Sequence, residues 1–177
     1  MSVIPCYEPG TGSAAADRLL AKVAAPFGGF VPNFHKVMAH SPATLRGFIA
    51  LHGALGGASL PPVDREVVAL EVARRNGCSY CMAAHSKMAL RLGLSPDEVA
   101  SVRDGRPVTG KTLPIVQQAA AEIIDTKGRI GAERIEHYRT LGLPPEMLME
   151  IITTIAAFTL ATFINNLAGT PIDPAFA

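Results

Sequence analysis

Two cysteines and a histidine lie close together in the segment CSYCMAAH at residues 78–85. On a helix, side chains three and four positions apart share one face, so Cys78, Cys81 and His85 are predicted to contact one another. Cys-x-x-Cys spacing, a helix N-terminus and a neighbouring histidine each stabilise the thiolate, which is the reactive form of cysteine. The segment therefore predicts a reactive dithiol.

The position of the pair on its helix affects its oxidation. Gly77, immediately before Cys78, indicates that the cysteines occupy a first helical turn, where unpaired N–H groups favour an anion. Helical neighbours three positions apart have Cβ atoms about 5–6 Å apart, whereas a disulfide needs about 3.8 Å. A Cys78–Cys81 disulfide is therefore expected to be strained and easily reduced, as in a catalytic cycle.

A metal site is the alternative interpretation of the same residues. Zinc binds Cys and His, but a tetrahedral site takes three or four protein ligands. The only other cysteine, Cys6, is distant, in the Pro-, Gly- and Ser-rich segment 1–13, and is interpreted as an incidental thiol. The spacing favours redox chemistry, and we predict neither a metal ligand nor a cofactor.

Other polar residues near the dithiol have ordinary interpretations. Glu66 and Glu71 would each normally face solvent or pair with an arginine of the same segment, and spacing does not choose between these environments. Tyr80 is interpreted as a packing residue. The remaining histidines show no partner pattern and stay unassigned: His35, His40, His52 and His137.

The composition predicts one domain and disfavours several functional classes. With 177 residues, 49% of them apolar, we predict a single domain over residues 1–177 with a loose arm at 1–13. Sixteen basic and fifteen acidic residues, without a run of like charges, do not make the basic surface of a nucleic-acid binder. No secretory or transit signal is recognisable at the N-terminus, so a cytoplasmic location is expected.

The apolar residues have helical spacing throughout, and no segment alternates like a strand. We predict an all-α bundle with helices at about 14–25, 42–55, 60–76, 79–92, 95–103, 113–126, 132–140 and 144–168. The most apolar stretch, 151–164, is shorter than the roughly 20 residues that cross a bilayer. It is expected at the centre of the domain or in a subunit interface.

A weak internal repeat is also indicated. Two Leu-Pro-Pro sequences open long helical stretches, and Glu66 and His85 fall opposite Glu146 and Asn165 at an offset of 80. The cysteines have no counterpart in the second stretch.

From Glu66 through the CSYCMAAH segment, the sequence resembles the AhpD-like alkylhydroperoxidase branch of the carboxymuconolactone decarboxylase superfamily. In that branch a glutamate is followed by eleven residues and then by Cys-x-x-Cys-x-x-x-His, as Glu66 is here by Cys78, Cys81 and His85. Similar flanking sequences are FVPNF at 30–34, SPA at 41–43 and the helix from 143 to 166. The similarity spans about residues 27–170.

This resemblance implies an all-helical subunit that assembles into trimers or hexamers. It also implies a proton relay of Glu66, His85 and Cys78 that serves Cys81. The well-studied members have a second histidine between the cysteines, where this chain has Tyr80, so the role of that histidine is absent here. The implied activity is thiol-dependent reduction of alkyl hydroperoxides or hydrogen peroxide.

As a hypothesis, the Cys81 thiolate attacks the peroxide and becomes a sulfenic acid, with which Cys78 condenses to a disulfide. His85, oriented by Glu66, would transfer the protons. A thioredoxin-like or lipoyl-bearing protein would then reduce the disulfide. A small apolar pocket of Phe, Leu and Met side chains is expected to admit many peroxides.

Two other functions remain open. The lyase chemistry of the decarboxylase branch uses acid–base groups and does not need a cysteine pair. A metal-binding or redox-sensing module without turnover would need the cysteines but no peroxide substrate.

Overall fold

The computed structural model describes residues 2–177, apart from the side chain of Phe27, and every regular element in this range is helical. The α-helices described are α1 (Ala14–Ala24), α2 (Asn33–Met38), α3 (Pro42–Ala54), α4 (Pro62–Arg75), α5 (Ser79–Arg91), α6 (Pro96–Arg103), α7 (Leu113–Thr126), α8 (Gly131–Thr140) and α9 (Pro145–Ala168). Single 3₁₀ turns follow α1 and α3. The all-α prediction is confirmed, and the predicted helix ends agree within a few residues.

Helix α4 lies at the centre of the bundle. It packs against α5, α6, α7 and α9, and nine of its 14 residues are buried. Its apolar side chains contribute to three hydrophobic clusters, which include Val67, Val68 and Val72 respectively. Because α4 has core on several sides, its carboxylates are also buried: Asp64, Glu66 and Glu71.

The turn between α4 and α5 is held against α9. After α4, Gly77 adopts a φ of +60°, a left-handed conformation that glycine takes without strain. The side-chain amide of Asn76 donates a hydrogen bond to Thr162 Oγ1 (2.9 Å), and Asn166 Nδ2 donates to the carbonyl of Asn76 (2.7 Å). Cys78, the next residue, therefore begins α5 at a defined position.

Helix α9 has two different faces. It packs against α2, α3, α4, α5 and α7, so the expectation of a core helix is correct for one face. The other face exposes large apolar side chains: Met149, Ile152, Leu160, Phe163 and Leu167. At 24 residues, α9 is long and apolar enough to cross a membrane, a test that core helices of soluble proteins also pass. Length therefore does not exclude a membrane span, contrary to the expectation from residues 151–164.

Two other expectations differ from the structure. The arm at residues 2–13 has no helix, but it is held in place: the N–H of Val3 donates to the carbonyl of Ala168 (2.7 Å), and the Tyr7 hydroxyl donates to Asp17 (2.9 Å).

The proposed repeat pairs α4, the Gly77 turn and α5 with the uninterrupted helix α9, so the two stretches are structurally different. The two Leu-Pro-Pro sequences also lie at an offset other than 80.

We expect Gly77→Ala to lower the free energy of unfolding by about 1 kcal/mol, because alanine is strained at this φ. An added Cβ would meet no atom within 4 Å, so the effect should come from the backbone alone. Gly47→Ala, in helix α3 and equally free of contacts, is the matched control and should raise stability by roughly 0.5–1 kcal/mol. Urea denaturation measures both, and equal effects at the two sites would contradict this account.

Candidate active site

The two cysteines lie at the N-terminus of α5, as the sequence predicted. Cys78 is the N-cap residue, and its sulfur accepts a hydrogen bond from the backbone N–H of Cys81 at 3.4 Å. Both thiols are free, and both residues are buried. The helix N-terminus thus directs an otherwise unpaired N–H group at the Cys78 sulfur, which favours the thiolate there.

The two thiols differ in acidity. The hydrogen bond from the Cys81 side chain, helped by the backbone N–H groups of Cys81 and Tyr80 and by the charge of His85, lowers the pKa of Cys78 to about 7. The same thiol–thiol hydrogen bond, together with burial, raises the pKa of Cys81. Cys78 is therefore the thiol that ionises first.

The Cys81 sulfur has a second polar neighbour that the sequence did not reveal. Asn165, on α9, donates a hydrogen bond from Nδ2 to Cys81 Sγ at 3.3 Å, and it lowers the pKa of Cys81 against the larger effects that raise it. Its position opposite His85 in the proposed repeat was the available signal. An amide at this place stabilises negative charge on Cys81.

Glu66 and His85 form a buried pair. Glu66 Oε2 lies 2.8 Å from His85 Nδ1, and Phe158 packs perpendicular to the imidazole with ring centroids 4.3 Å apart. Because the carboxylate accepts the proton of Nδ1, the other ring nitrogen, Nε2, is left to exchange protons. Within residues 2–177, no hydrogen bond connects this pair to either thiol, so Glu66 and His85 form a unit adjacent to the dithiol.

Glu71 has a structural environment. It is buried, and its carboxylate accepts hydrogen bonds from Arg74 (2.5 Å) and Arg75 (2.6 Å). Arg75 also bonds Asp125 on α7. Of the two environments left open by the sequence, pairing with arginine is the one observed for Glu71, while Glu66 pairs with histidine. Neither glutamate faces solvent.

Tyr80, between the cysteines, does more than pack. Its hydroxyl donates to Asp173 Oδ2 at 2.5 Å, and burial followed by this hydrogen bond raises the pKa of Tyr80. Asp173 also accepts the backbone N–H of Asn33 (3.1 Å), and the Phe176 ring packs perpendicular to the Tyr80 ring. Tyr80 thus connects the dithiol turn to the segment after α9.

Two cavities flank the site. One, of about 270 Å³, is lined by Cys78, Ser79, Tyr80, Asn165, Asn166, Gly169 and Thr170. The other, of about 320 Å³, includes Glu66 and His52 and has apolar walls from Leu55, Met88, Leu92 and Phe158. The expected apolar pocket therefore opens beside the Glu66–His85 pair, whereas the cavity beside the cysteines is polar.

The other candidate groups lie apart from the dithiol. The Cys6 thiol, whose pKa is raised by burial, contacts the carbonyl of Asn33 at 4.0 Å. His35 is buried, and burial lowers its pKa to about 3. His40 hydrogen bonds the carbonyl of Pro5 (2.8 Å). Over residues 2–177, no group of three or more His, Cys, Asp or Glu side chains is arranged to bind a metal ion.

A comparison with known families matches residues 42–122 to the Carboxymuconolactone decarboxylase family. This range includes Glu66, both cysteines of the dithiol and His85. A sequence search of curated proteins finds no match.

Solved structures share the fold over nearly the whole chain. One is the alkylhydroperoxidase AhpD core, an uncharacterised peroxidase-related protein from Ralstonia eutropha JMP134; it is 23% identical with a TM-score of 0.86, covering 99% of this chain and 94% of its own. An uncharacterised peroxidase-related protein from Silicibacter sp. TM1040 is 18% identical with a TM-score of 0.79, covering 98% and 94%. The debrominase Bmp8 is 16% identical with a TM-score of 0.76, covering 99% and 95%.

In a Cys6→Ser background, we expect the rate of Cys78 alkylation by iodoacetamide to rise with pH around a midpoint of about 7, because only the thiolate reacts. Cys81→Ala removes the thiol that donates to Cys78 and should move the midpoint upward, toward the ordinary value near about 8.5. Peptide mass spectrometry at each pH measures the rate.

Cys81→Ser is the matched control for this experiment. Its hydroxyl still donates a hydrogen bond, so the midpoint should move less than in Cys81→Ala. An identical midpoint in wild type and Cys81→Ala would contradict the cause assigned to the low pKa of Cys78.

Proposed function

From the premise that residues 42–122 belong to the carboxymuconolactone decarboxylase family and that the chain has the fold of AhpD-like, peroxidase-related proteins, we propose that this protein is a thiol-dependent peroxidase. It reduces alkyl hydroperoxides or hydrogen peroxide through a Cys78/Cys81 dithiol–disulfide cycle. The observation that carries the proposal is the buried pair of free thiols at the N-terminus of α5, where the Cys81 N–H donates to Cys78 Sγ and Cys78 lines a cavity.

In the first step, Cys81 attacks the peroxide. Its proton passes to the Cys78 thiolate, to which it is already hydrogen bonded, and Asn165 Nδ2 stabilises the Cys81 thiolate so formed. An S–O bond forms as the O–O bond breaks, and the departing alkoxide or hydroxide takes the proton from Cys78. The products are a Cys81 sulfenic acid, an alcohol or water, and the Cys78 thiolate. The hydrogen bond from Asn165 Nδ2, which Cys81 receives and Cys78 does not, favours Cys81 as the attacking sulfur.

In the second step, Cys78 resolves the sulfenic acid. Its thiolate attacks the Cys81 sulfur, an S–S bond forms, and hydroxide leaves as water after taking the Nε2 proton of a protonated His85. Glu66 holds the imidazole through Nδ1, so Nε2 is the proton donor. Of the two protons that the reducing dithiol later supplies, one returns to Nε2 and the other to the Cys81 thiol. His85 makes no direct hydrogen bond to either thiol, so its proton reaches the leaving hydroxide through one water. General acid catalysis can operate through such a water.

An external dithiol completes the cycle, and a thioredoxin-like or lipoyl-bearing protein in a reducing compartment such as the cytoplasm is the partner we propose. Its thiolate attacks one sulfur of the disulfide, and its second thiol releases the reduced protein. Both thiols are buried, and Cys78, which lines the polar cavity, is the sulfur that we propose for this attack.

Single-turnover oxidation of the reduced protein tests the cycle without knowledge of the reductant. Wild type is expected to lose two thiols per peroxide consumed. Cys78→Ser should stop at a Cys81 sulfenic acid that dimedone traps, because no resolving thiol is present. Cys81→Ser should react with peroxide at least about 100-fold more slowly, because the proposed attacking thiol is gone.

Rapid mixing with a thiol reagent and mass spectrometry of the adducts give both readouts. A Cys6→Ser variant, which keeps the dithiol, is the control and should behave as wild type. A dimedone adduct on Cys78 in Cys81→Ser, formed at the wild-type rate, would reverse the assignment of the two sulfurs. Peroxide consumption by Cys78→Ser/Cys81→Ser at the wild-type rate would contradict the dithiol mechanism.

A second candidate function is thiol-dependent dehalogenation of a small aromatic ring. The observation that favours it is the apolar cavity beside the Glu66–His85 pair, with aromatic Phe158 in its wall, in a fold shared with a debrominase. Two thiols and one aryl bromide would give the hydrogen-substituted ring, a disulfide and hydrogen bromide. Bromide release from a bromopyrrole by the reduced protein, in the absence of peroxide turnover, would favour this function.

Activity that survives full thiol alkylation would instead favour lyase chemistry.

We also propose a homotrimer or homohexamer in which the exposed face of α9 is buried. Phe163 and Leu167 are 60% and 69% exposed in the single chain, which is unusual for adjacent large apolar residues. Phe163→Lys/Leu167→Lys is expected to convert the oligomer to monomer in multi-angle light scattering. Leu141→Lys, an exposed apolar position after α8, is the control and should leave the mass unchanged. A monomeric wild type would contradict the proposal.

A further inference from the structure

Two buried oxygen atoms without hydrogen-bond partners lie beside the dithiol. Asn165 Oδ1 and Thr170 Oγ1 are both buried and find no partner among the residues that the structure describes. Asn165 and Thr170 line the same cavity of about 270 Å³, together with Cys78. Leaving a buried polar atom unpaired costs free energy, so two residues with such atoms along one cavity indicate a ligand that supplies hydrogen-bond donors.

The chemistry of the cavity restricts that ligand. An amide oxygen only accepts hydrogen bonds, and a threonine hydroxyl accepts as well as donates. Hydrogen peroxide carries two O–H donors and can satisfy both oxygens, whereas an alkyl hydroperoxide carries one. No aliphatic side chain lines this cavity, in contrast to the cavity at Glu66, so it offers little apolar surface to an alkyl group.

We propose that this cavity binds hydrogen peroxide and that Asn165 and Thr170 are its binding residues, an inference that rests on the proposed peroxidase function. Asn165 Oδ1 and Thr170 Oγ1 accept the two O–H groups of the substrate. The same amide donates from Nδ2 to Cys81 Sγ at 3.3 Å, so one side chain contacts both the attacking sulfur and the substrate. Of the two thiols, Cys78 lines this cavity, and the Asn165 amide connects the bound peroxide to Cys81.

Thr170 provides the cleaner test, because its hydroxyl contacts neither thiol. In single-turnover oxidation, Thr170→Val is expected to raise the hydrogen peroxide concentration at half-maximal rate by roughly three- to tenfold, which corresponds to one lost hydrogen bond. Thr170→Ser keeps the hydroxyl and should restore the wild-type value. Thr153→Val removes a hydroxyl from α9 that bonds the carbonyl of Met149 and lines neither cavity, so it should change nothing.

Two further measurements show whether an effect of Thr170→Val comes from peroxide binding. The first tests whether the fold and the thiol pair are intact, and the second compares two peroxides. The rate of Cys78 alkylation by iodoacetamide should be the same in wild type and Thr170→Val, because the thiol pair is intact. Wild type should oxidise at least about tenfold faster with hydrogen peroxide than with cumene hydroperoxide, and Thr170→Val should narrow this difference.

The outcomes distinguish the two proposals. The binding site would be overturned if wild type and Thr170→Val reach half-maximal rate at the same hydrogen peroxide concentration. It would also be overturned if wild type prefers cumene hydroperoxide. Either result leaves the peroxidase function in place. If wild type loses no thiols with either peroxide, the peroxidase function itself is overturned. If Thr170→Val does not fold, the Thr170→Ser protein and the wild-type substrate preference still decide the question.

Discussion

The packing of the α4–α5 turn against α9 is the constraint on which the site depends. Two side-chain amide hydrogen bonds, from Asn76 to Thr162 and from Asn166 to Asn76, fasten the turn to the closing helix. The left-handed Gly77 then lets α5 begin at Cys78. A displacement of this turn would move the dithiol away from the amide of Asn165, so the reactivity of the thiols belongs to a junction of three helices and not to the Cys-x-x-Cys sequence alone.

The central helix α4 combines a hydrophobic core with buried charge. A carboxylate in such a place must be paired, since removing one partner of a buried ion pair costs about 3–5 kcal/mol. Glu71 meets this requirement with two arginines of its own helix, whereas Glu66 takes a histidine from α5. The first arrangement is complete within α4, and the second leaves an imidazole nitrogen free for chemistry.

Local spacing predicted most of the helices and the dithiol at a helix N-terminus, because these features are encoded over a few turns. Spacing left the environment of Glu66 open, and only the family resemblance assigned it to the site. The partners of the site were not predictable in the same way. Asn165 reaches Cys81 across 84 residues, and Asp173 reaches Tyr80 across 93. Tyr80 was interpreted as a packing residue, but only tertiary packing supplies its hydroxyl with a carboxylate. The arm at 2–13 was predicted loose for the same reason, since its partners lie on distant helices.

Helix α9 contacts both halves of the site, Phe158 against the imidazole and Asn165 against the Cys81 sulfur. These residues are seven positions apart, which is about two helical turns and about 10 Å along the axis. The helix thus fixes the distance between the Glu66–His85 pair and the amide of Asn165. One residue inserted between them would rotate Asn165 by about 100° relative to Phe158 and turn it away from the thiol. The number of residues between Phe158 and Asn165 is therefore as much a part of the site as the two side chains themselves.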